Sequence, residues 1–424
     1  MRRLKKVYSI TKFKRIKNLG SARPTKTKMV TRTKRAMTGA ECTAEAMRQV
    51  NPDVVAAYPI TPQTDIMHAF AQFVADGTVD TDLVTVESEH SAMSACVGAG
   101  AAGARTMTAT SANGLALMWE IVYIASGLRI PMVMNVVNRA LSGPINIHCD
   151  HSDSMGCRDS GWVQLYSENG EEAYENTLMG VKISEHPDVL LPVMVCQDGF
   201  ITSHCVETAE TIDDETVKNF IGTYTPHYPL LDVDKPVTYG PLDLFDYYFE
   251  HKRQQLLAME KVKPVIRQVF EEFGKITGKH YDYFEDYMLD DAERVIFCSN
   301  SSAGSTRVVV EELRAKGEKV GLLKMRVFRP WLNEMVVAKL KNAKAVAVLD
   351  RSASFGAFGG PLFNEVRSSF HEEDKQNKPF IINYIFGLGG RELDLEQIRK
   401  VFNELKEVSR GNVGELVRYL GVRE

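Results

Sequence analysis

The chain has 424 residues, of which 44% are hydrophobic and 25% charged, enough for two or three domains with cores of their own. No apolar run reaches the roughly 20 residues needed to span a bilayer, and the basic start is not followed by the apolar core of a secretory signal. Residues 1–37 carry 14 Lys and Arg and no acidic residue, which leaves 37 basic against 55 acidic residues in the rest, a formal net charge of −18.

A basic tail on an acidic body can bind nucleic acid or an anionic surface, serve as a transit peptide, or reflect a start upstream of a native Met29 or Met37. It lacks the interleaved aromatics of a nucleic-acid module. Residues 1–37 are therefore expected to be a disordered extension, with neither nucleic acid nor membrane as a partner. Seven scattered cysteines form no C-x-x-C pair. They suit neither a zinc site nor an iron–sulfur cluster and read as reduced cytosolic thiols, so a cytoplasmic location is expected.

From Thr38 the pattern is β/α. Apolar strands are expected at Val54–Ala57, Leu83–Val86, Thr106–Thr110, Pro131–Val137 and Leu190–Val195. Between them lie an Ala-rich helix from about Glu89 to Ala102 and an amphipathic one from Leu115 to Ser126. Such alternation implies a parallel sheet with helices on both faces, here a domain over residues 38–206. Residues 207–290, acidic, aromatic and Pro-punctuated, read as a connector arm with a long helix from about Leu242 to Ile276, wrapped over a neighbour. The rhythm resumes over 291–424 as a smaller doubly wound domain. Its strands are expected at Arg294–Ser299, Val320–Met325, Ala345–Leu349 and Ile381–Phe386, and its helices at Thr306–Lys316, Asn333–Lys341 and Pro361–Phe370.

Parallel sheets place ligands beyond the carboxyl ends of their strands. The loops at those ends hold Thr61, Glu87, Glu89, Ser111, Asn113 and Arg139. Such a set can orient a carboxylate and move a proton, but offers no metal cage and no nucleophilic Cys or Ser. Gly98-Ala-Gly-Ala-Ala-Gly103 fits G-x-G-x-x-G, yet it closes a helix instead of opening one, so its small residues are read as close packing on the sheet. Glu89 at a helix start could merely favour the macrodipole. Arg139 could be a surface ion pair worth about 0–1 kcal/mol.

Glu89-His-Ser-Ala-Met-Ser-Ala-Cys-Val-Gly-Ala-Gly-Ala-Ala-Gly-Ala-Arg105 resembles the pyrimidine-binding domain of thiamine-diphosphate enzymes. In that family one Glu hydrogen-bonds N1′ of the aminopyrimidine and favours its imino tautomer. The resemblance assigns that role to Glu89 over Glu87. Tyr58-Pro-Ile-Thr-Pro-Gln-Thr64, a loop stiffened by two prolines, extends the likeness. With it go Leu115-Ala-Leu-Met118, Asn138-Arg-Ala-Leu-Ser142, Asp150-His151, Arg158-Asp-Ser-Gly-Trp162, Asp198-Gly-Phe200, Leu349-Asp-Arg351, Gly359-Gly-Pro361 and Gly387-Leu-Gly-Gly-Arg391. Together they resemble the alpha subunit of the pyruvate:ferredoxin (2-oxoacid:ferredoxin) oxidoreductases, from about Thr38 to Ile398.

The resemblance implies a fold class: an α/β thiamine-diphosphate pyrimidine-type doubly wound parallel sheet domain, followed by a smaller transketolase C-terminal-like domain. It implies that Thr61 hydrogen-bonds the 2-oxoacid near its carbonyl and that Arg139 clamps the carboxylate. Glu89 activates the cofactor, and Pro59 and Asn113 line its pyrimidine. The metal-holding Gly-Asp-Gly segment of the family is absent, since Asp198-Gly199 follows Gln197. The chain is thus expected to hold half of a thiamine diphosphate site. A beta subunit would carry the diphosphate and Mg²⁺, and gamma and ferredoxin-like delta subunits would carry the iron–sulfur clusters. The reaction implied is pyruvate, coenzyme A and oxidised ferredoxin to acetyl-CoA, CO₂ and reduced ferredoxin, or its reverse. Ala112-Asn-Gly114, His148-Cys149 and Ser152 depart from the family pattern and leave the choice of oxoacid open. Other readings are a 2-oxoisovalerate, 2-oxoglutarate or aryl-oxoacid enzyme, a thiamine-dependent dehydrogenase or transferase component that reduces no ferredoxin, and a non-catalytic assembly subunit.

Overall fold

The computed structural model describes residues 30–373 and 378–423. The first half runs β1 (Arg32–Thr38), α1 (Gly39–Val50), β2 (Val54–Ala57), α2 (Thr64–Ala75), β3 (Asp82–Thr85), α3 (Glu89–Ala102), β4 (Thr106–Thr110), α4 (Ala112–Leu117), α5 (Trp119–Gly127), β5 (Val133–Asn138), α6 (Ser152–Gly156), β6 (Val163–Ser167), α7 (Gly170–Ser184), β7 (Val193–Asp198), β8 (Val206–Ile212) and α8 (Asp214–Ile221). After an irregular stretch come α9 (Tyr248–Thr277), β9 (Phe284–Tyr287), β10 (Arg294–Ser299), α10 (Ser302–Ala315), β11 (Val320–Met325), β12 (Val327–Arg329), α11 (Asn333–Leu340), β13 (Ala345–Asp350), α12 (Pro361–Ser369), β14 (Phe380–Phe386), α13 (Leu395–Val408) and β15 (Val417–Leu420).

Two sheets carry the architecture. The first has order β12-β6-β7-β5-β4-β2-β3 and is parallel except for its β12 edge. The second has order β15-β14-β13-β10-β11-β9, parallel except for β9. In the first, the chain leaves β2 for β3 on one side and then crosses to β4 on the other, so the carboxyl ends of β2 and β4 flank a topological switch point. In the second, β10 leads to β11 on one side and β13 on the other, which makes an equivalent switch point. The central strands β4, β5, β7, β10, β11 and β13 are buried at every position, as sheets covered on both faces require.

Local chemistry places the helix starts. Thr38 and Glu41 form a capping box at α1, Asp394 and Gln397 another at α13, and Ser88 accepts from Ser91 N at α3. Gly103 ends α3 at φ 109°, and a Cβ on Gly100 would press on Ile130 at 2.5 Å, so the glycine motif serves packing.

The structure revises several boundaries. Residues 1–29 lie outside the described residues, but Arg32–Met37, expected to be unstructured, pair with β8 in a two-stranded antiparallel sheet. The single helix expected over Leu115–Ser126 is two, α4 and α5, parted at Met118. The strand expected at Leu190–Val195 starts at Val193, because Leu190 takes a left-handed backbone (φ 45°) and Pro192 precedes the strand. The connector's long helix begins at Tyr248, and its second half buries Val262, Ile266, Val269, Phe270 and Phe273 in this chain's own core. Leu242, Phe245 and Phe249 ahead of that half are exposed.

One strand joins the two halves. β12 follows β11 after a single residue, Arg326, yet pairs with β6 of the first sheet. Arg326 is buried and donates to Glu172 (2.7 Å) and Asn176 (3.1 Å). Lys324, 1% exposed in its side chain, meets Glu168, Glu172 and Glu285. Glu168, Glu172 and Glu285 each pair with more than one of Lys324, Arg326 and Arg307, so the seam is held by a network of shared charges.

Candidate active site

The loops beyond β2, β4 and β5 and the start of α3 stand at the carboxyl end of the first sheet. The loop after β2 is held by Gln63, fully buried, whose side-chain amide donates to Ala109 O of β4 (3.0 Å) while its own carbonyl accepts from Ile60 N (3.2 Å). Pro59 and Thr61 are thereby left on the exposed side of a braced turn.

Arg139 follows β5 and is 6% exposed. Its Nη1 donates to Thr61 O (2.8 Å) and its Nε to Asn146 O (3.0 Å). No hydrogen bond among the described residues reaches Nη2. Two backbone carbonyls thus aim the guanidinium and leave one edge for a ligand, which is not the geometry of a surface ion pair.

Glu89, 7% exposed, lies in the first turn of α3. It packs on Gly114: a Cβ there would lie 2.7 Å from Glu89 Oε1 and 2.5 Å from Thr110 Oγ1, so glycine is required for α4 to approach the carboxylate. No hydrogen bond reaches that carboxylate among the described residues. Thr110 Oγ1 and Ser111 Oγ are likewise buried without partners. Glu87 differs: its carboxylate accepts from Ser91 Oγ (2.5 Å) at the surface, and that bond holds its pKa below the usual range.

Asn113 uses both ends of its amide on Ser142, donating to Oγ (2.7 Å) and accepting from the backbone N–H (3.1 Å). It is a latch between the β4 and β5 loops, which leaves less of it for the cofactor contact the resemblance implied.

Asp153 was not legible in the sequence. It is an isolated acid in Ser152-Asp-Ser154, with no motif around it. It is 3% exposed, and its Oδ2 accepts from Ala112 N and Arg139 N (both 3.0 Å), tying together the ends of β4 and β5. Oδ1 accepts from Asn138 Nδ2 (2.8 Å) and Ser154 N (2.7 Å). Burial pushes its pKa up to about 6, although these four donors favour the anion. Ala112, held by this bond, has φ 38°, a costly conformation for a residue with a Cβ.

The three candidate residues therefore form one chain of contacts. Thr61 touches Arg139, Arg139 and Ala112 share Asp153, and Gly114 of that same β4 loop packs on Glu89. Two other clusters offer metal-ligating groups: Cys149 with His151 and Asp198, and Glu168 with Glu172 and Glu285. Each already encloses a cationic side chain, Arg351 in the first and Lys324 in the second.

A guanidinium with one open edge and a buried acid stand at the switch point of a doubly wound sheet, with a second α/β unit behind. The chain matches the family "pyruvate flavodoxin/ferredoxin oxidoreductase, thiamine diP-bdg" over residues 45–271 and "pyruvate:ferredoxin oxidoreductase core domain II" over 292–398. It is 57% identical over 390 residues to pyruvate synthase subunit PorA of Thermotoga maritima, covering 92% of this chain and 98% of that one. Identity is 47% to the PorA of Methanocaldococcus jannaschii (88% and 95% covered) and 41% to ketoisovalerate oxidoreductase subunit VorA of Pyrococcus abyssi (88% and 94% covered). Among solved structures, a 2-oxoglutarate:ferredoxin oxidoreductase from Magnetococcus marinus superposes with a TM-score of 0.66 at 21% identity, covering 92% of this chain and 67% of that one. A split-gene transketolase gives 0.52 at 12%, covering 88% and 99%. These two establish the fold alone.

The chain belongs to the pyruvate:ferredoxin oxidoreductase family. It is an oxidoreductase subunit built on a thiamine-diphosphate-binding domain, a component of a multi-subunit enzyme. No helix among the described residues is long and apolar enough to cross a membrane.

Proposed function

We propose that this chain supplies the pyrimidine-binding and carboxylate-binding half of a pyruvate:ferredoxin oxidoreductase site. The observation that carries this reading is the aimed, half-free guanidinium of Arg139, linked through shared contacts to the buried, unpartnered carboxylate of Glu89.

In this reading Arg139 receives the carboxylate of pyruvate on its open Nη2 edge, a charge-assisted bond with a fixed direction. The Thr61 hydroxyl, on the braced turn against Arg139, faces the reacting carbonyl. Glu89 holds a proton on N1′ of the aminopyrimidine, and Pro59 lies along that ring. The donor set fits an aminopyrimidine edge: an acid without a partner, and orphaned hydroxyls at Thr110 and Ser111. Thiamine diphosphate, when bound, supplies the carbon nucleophile and the electron sink for decarboxylation. This chain's part is to orient the substrate, hold the proton and keep water from one side of the site.

The absence of a Gly-Asp-Gly segment supports a beta subunit carrying the diphosphate and Mg²⁺. The absence of paired cysteines supports gamma and ferredoxin-like delta subunits carrying the iron–sulfur clusters that lead to ferredoxin. Coenzyme A then takes the acetyl group. Pyruvate is favoured over 2-oxoisovalerate because the relatives at 57% and 47% identity are pyruvate synthase subunits, while the ketoisovalerate subunit stands at 41%, level with the pyruvate synthase subunit of the same organism.

The test is steady-state reduction of a viologen dye by the purified complex, with coenzyme A and each oxoacid in turn. The expected result is dye reduction with pyruvate giving the highest kcat/KM. A higher value for 2-oxoisovalerate or 2-oxoglutarate would reassign the substrate. Absence of dye reduction alongside acyl transfer to lipoamide would reassign the class.

A further inference from the structure

Gly387-Leu-Gly-Gly-Arg391, in the second half of the chain, has no part in the reaction as described so far. It lies at the carboxyl end of β14, and it meets the loop that carries Arg139. Asn146 Nδ2 donates to Gly389 O (3.1 Å), Gly390 N to Cys149 O (2.6 Å) and Gly389 N to Asp150 Oδ2 (3.3 Å). Gly389 and Gly390 take φ of 63° and 80°. A Cβ on Gly389 would overlap the Asn146 amide, and one on Gly390 would overlap His148 Cβ. Only glycines allow this approach.

Asn146 is the link in this contact. Its backbone carbonyl accepts from Arg139 Nε (3.0 Å), its amide nitrogen reaches Gly389, and its Oδ1 accepts from His148 N (2.7 Å). The residues around it are exposed, Ile145 at 77% and Ile147 at 42%. An exposed loop does not by itself hold a carbonyl in one place, because backbone order has an entropic cost that contacts must offset. The loop's ends are tied within the first half by Ala140 N to His148 O (3.0 Å) and by Asn113 on Ser142, and at the Asn146 side chain a further contact comes from the other half of the molecule. If the carbonyl moved, the guanidinium would rotate about its remaining bond to Thr61 O.

We propose that Asn146 is a positioning residue and that the Gly389–Gly390 loop acts through it to orient Arg139 toward the substrate carboxylate. This rests on the reading of Arg139 given above. The second half of the chain would thus tune substrate affinity without touching substrate.

The test is a double-mutant cycle in the assembled complex, read as KM for pyruvate, KM for coenzyme A and kcat. Asn146→Ala is expected to raise KM for pyruvate about tenfold, the scale of one lost bond to a charged group's partner, with KM for coenzyme A unchanged and kcat largely kept. Gly389→Ala, made on the opposite side of the contact, is expected to do the same. Gly411→Ala, also at positive φ but with open space around it, serves as the control for backbone strain in the second half. In an Arg139→Ala background, Asn146→Ala is expected to add nothing. Additive effects, or an unchanged KM for pyruvate in Asn146→Ala, would overturn the proposal. An unchanged KM in Arg139→Ala itself would instead overturn the reading beneath it. If Gly389→Ala fails to assemble, the cycle with Asn146 decides alone.

Discussion

The two sheets share a winding and differ in what stands at the switch point. In the first sheet the crevice between β2 and β4 keeps a carboxylate and two hydroxyls without partners. In the second, the corresponding place between β10 and β13 is filled by the first half of the chain. Asp198, fully buried, accepts from Ser301 N (3.2 Å) and Ser301 Oγ and pairs with Arg351 (3.5 Å). His151 Nε2 lies 2.7 Å from Asp198 Oδ1, and His151 N donates to Arg351 O (2.8 Å). Burial works against the charge on Asp198, but Arg351 and His151 hold its carboxyl well below the usual range. The difference teaches that a doubly wound sheet offers a crevice and the loops decide its use. The first crevice keeps an acid without a partner, whereas the second joins the halves, with the Asn300 amide, His151 Nδ1 and Arg351 Nη1 as its own atoms without hydrogen-bond partners among the described residues.

Asp198→Ala should break the filled crevice most severely. It leaves Arg351 buried beside an unpaired His151, and removing one partner of a buried pair costs about 3–5 kcal/mol. A large fall in the thermal midpoint of the purified complex, with partial loss of assembly, is expected; an unchanged midpoint would mean the joint is not held there. Arg139→Ala attacks the open crevice instead. It should raise KM for pyruvate on the order of a hundredfold, about 3 kcal/mol, with a far smaller effect on thermal stability. An equal loss of stability would blur the distinction between the two crevices.

A smaller effect concerns Asp350, at the end of β13 and also fully buried. Its oxygens accept from Leu362 N, Phe363 N and Asn383 Nδ2, so it caps α12. Burial nonetheless pushes its pKa up to about 7. A carboxyl raised in the folded state stabilises fully when protonated in both states, below the unfolded value near 4, and loses that contribution as pH rises through 7. Urea unfolding at pH 5 and pH 8 should therefore show the wild type losing on the order of 2 kcal/mol relative to Asp350→Asn over that span. Parallel pH dependence in the two proteins would contradict this.

Much of the first crevice was legible because its chemistry sits at strand ends. Apolar runs such as Thr106–Thr110 mark strands, and the polar residue just beyond each run marks a loop at the sheet's edge. That logic singled out Thr61, Glu87, Glu89, Ser111, Asn113 and Arg139 before any geometry, and the family resemblance narrowed them to Thr61, Glu89 and Arg139. The β/α rhythm implied a parallel sheet but not the strand order that brings their loops together, which the structure supplies. Asp153, Asn146 and β12 were not legible, because each depends on contacts between distant segments. Asp153 matters only once β4 and β5 are neighbours, and Val327–Arg329 is too short to read as a strand without β6 beside it. The pairing of Arg32–Met37 with β8 was hidden by charge, since alternating basic residues on an exposed edge resemble a disordered tail.

The most direct measurement is the turnover of assembled complex carrying Glu89→Gln, which keeps shape and removes the acid. If Glu89 serves the aminopyrimidine, pyruvate-dependent dye reduction should fall by roughly 10²–10⁴, with subunit composition unchanged. Turnover within a few fold of wild type would contradict the assignment of this crevice as the reacting half of the site.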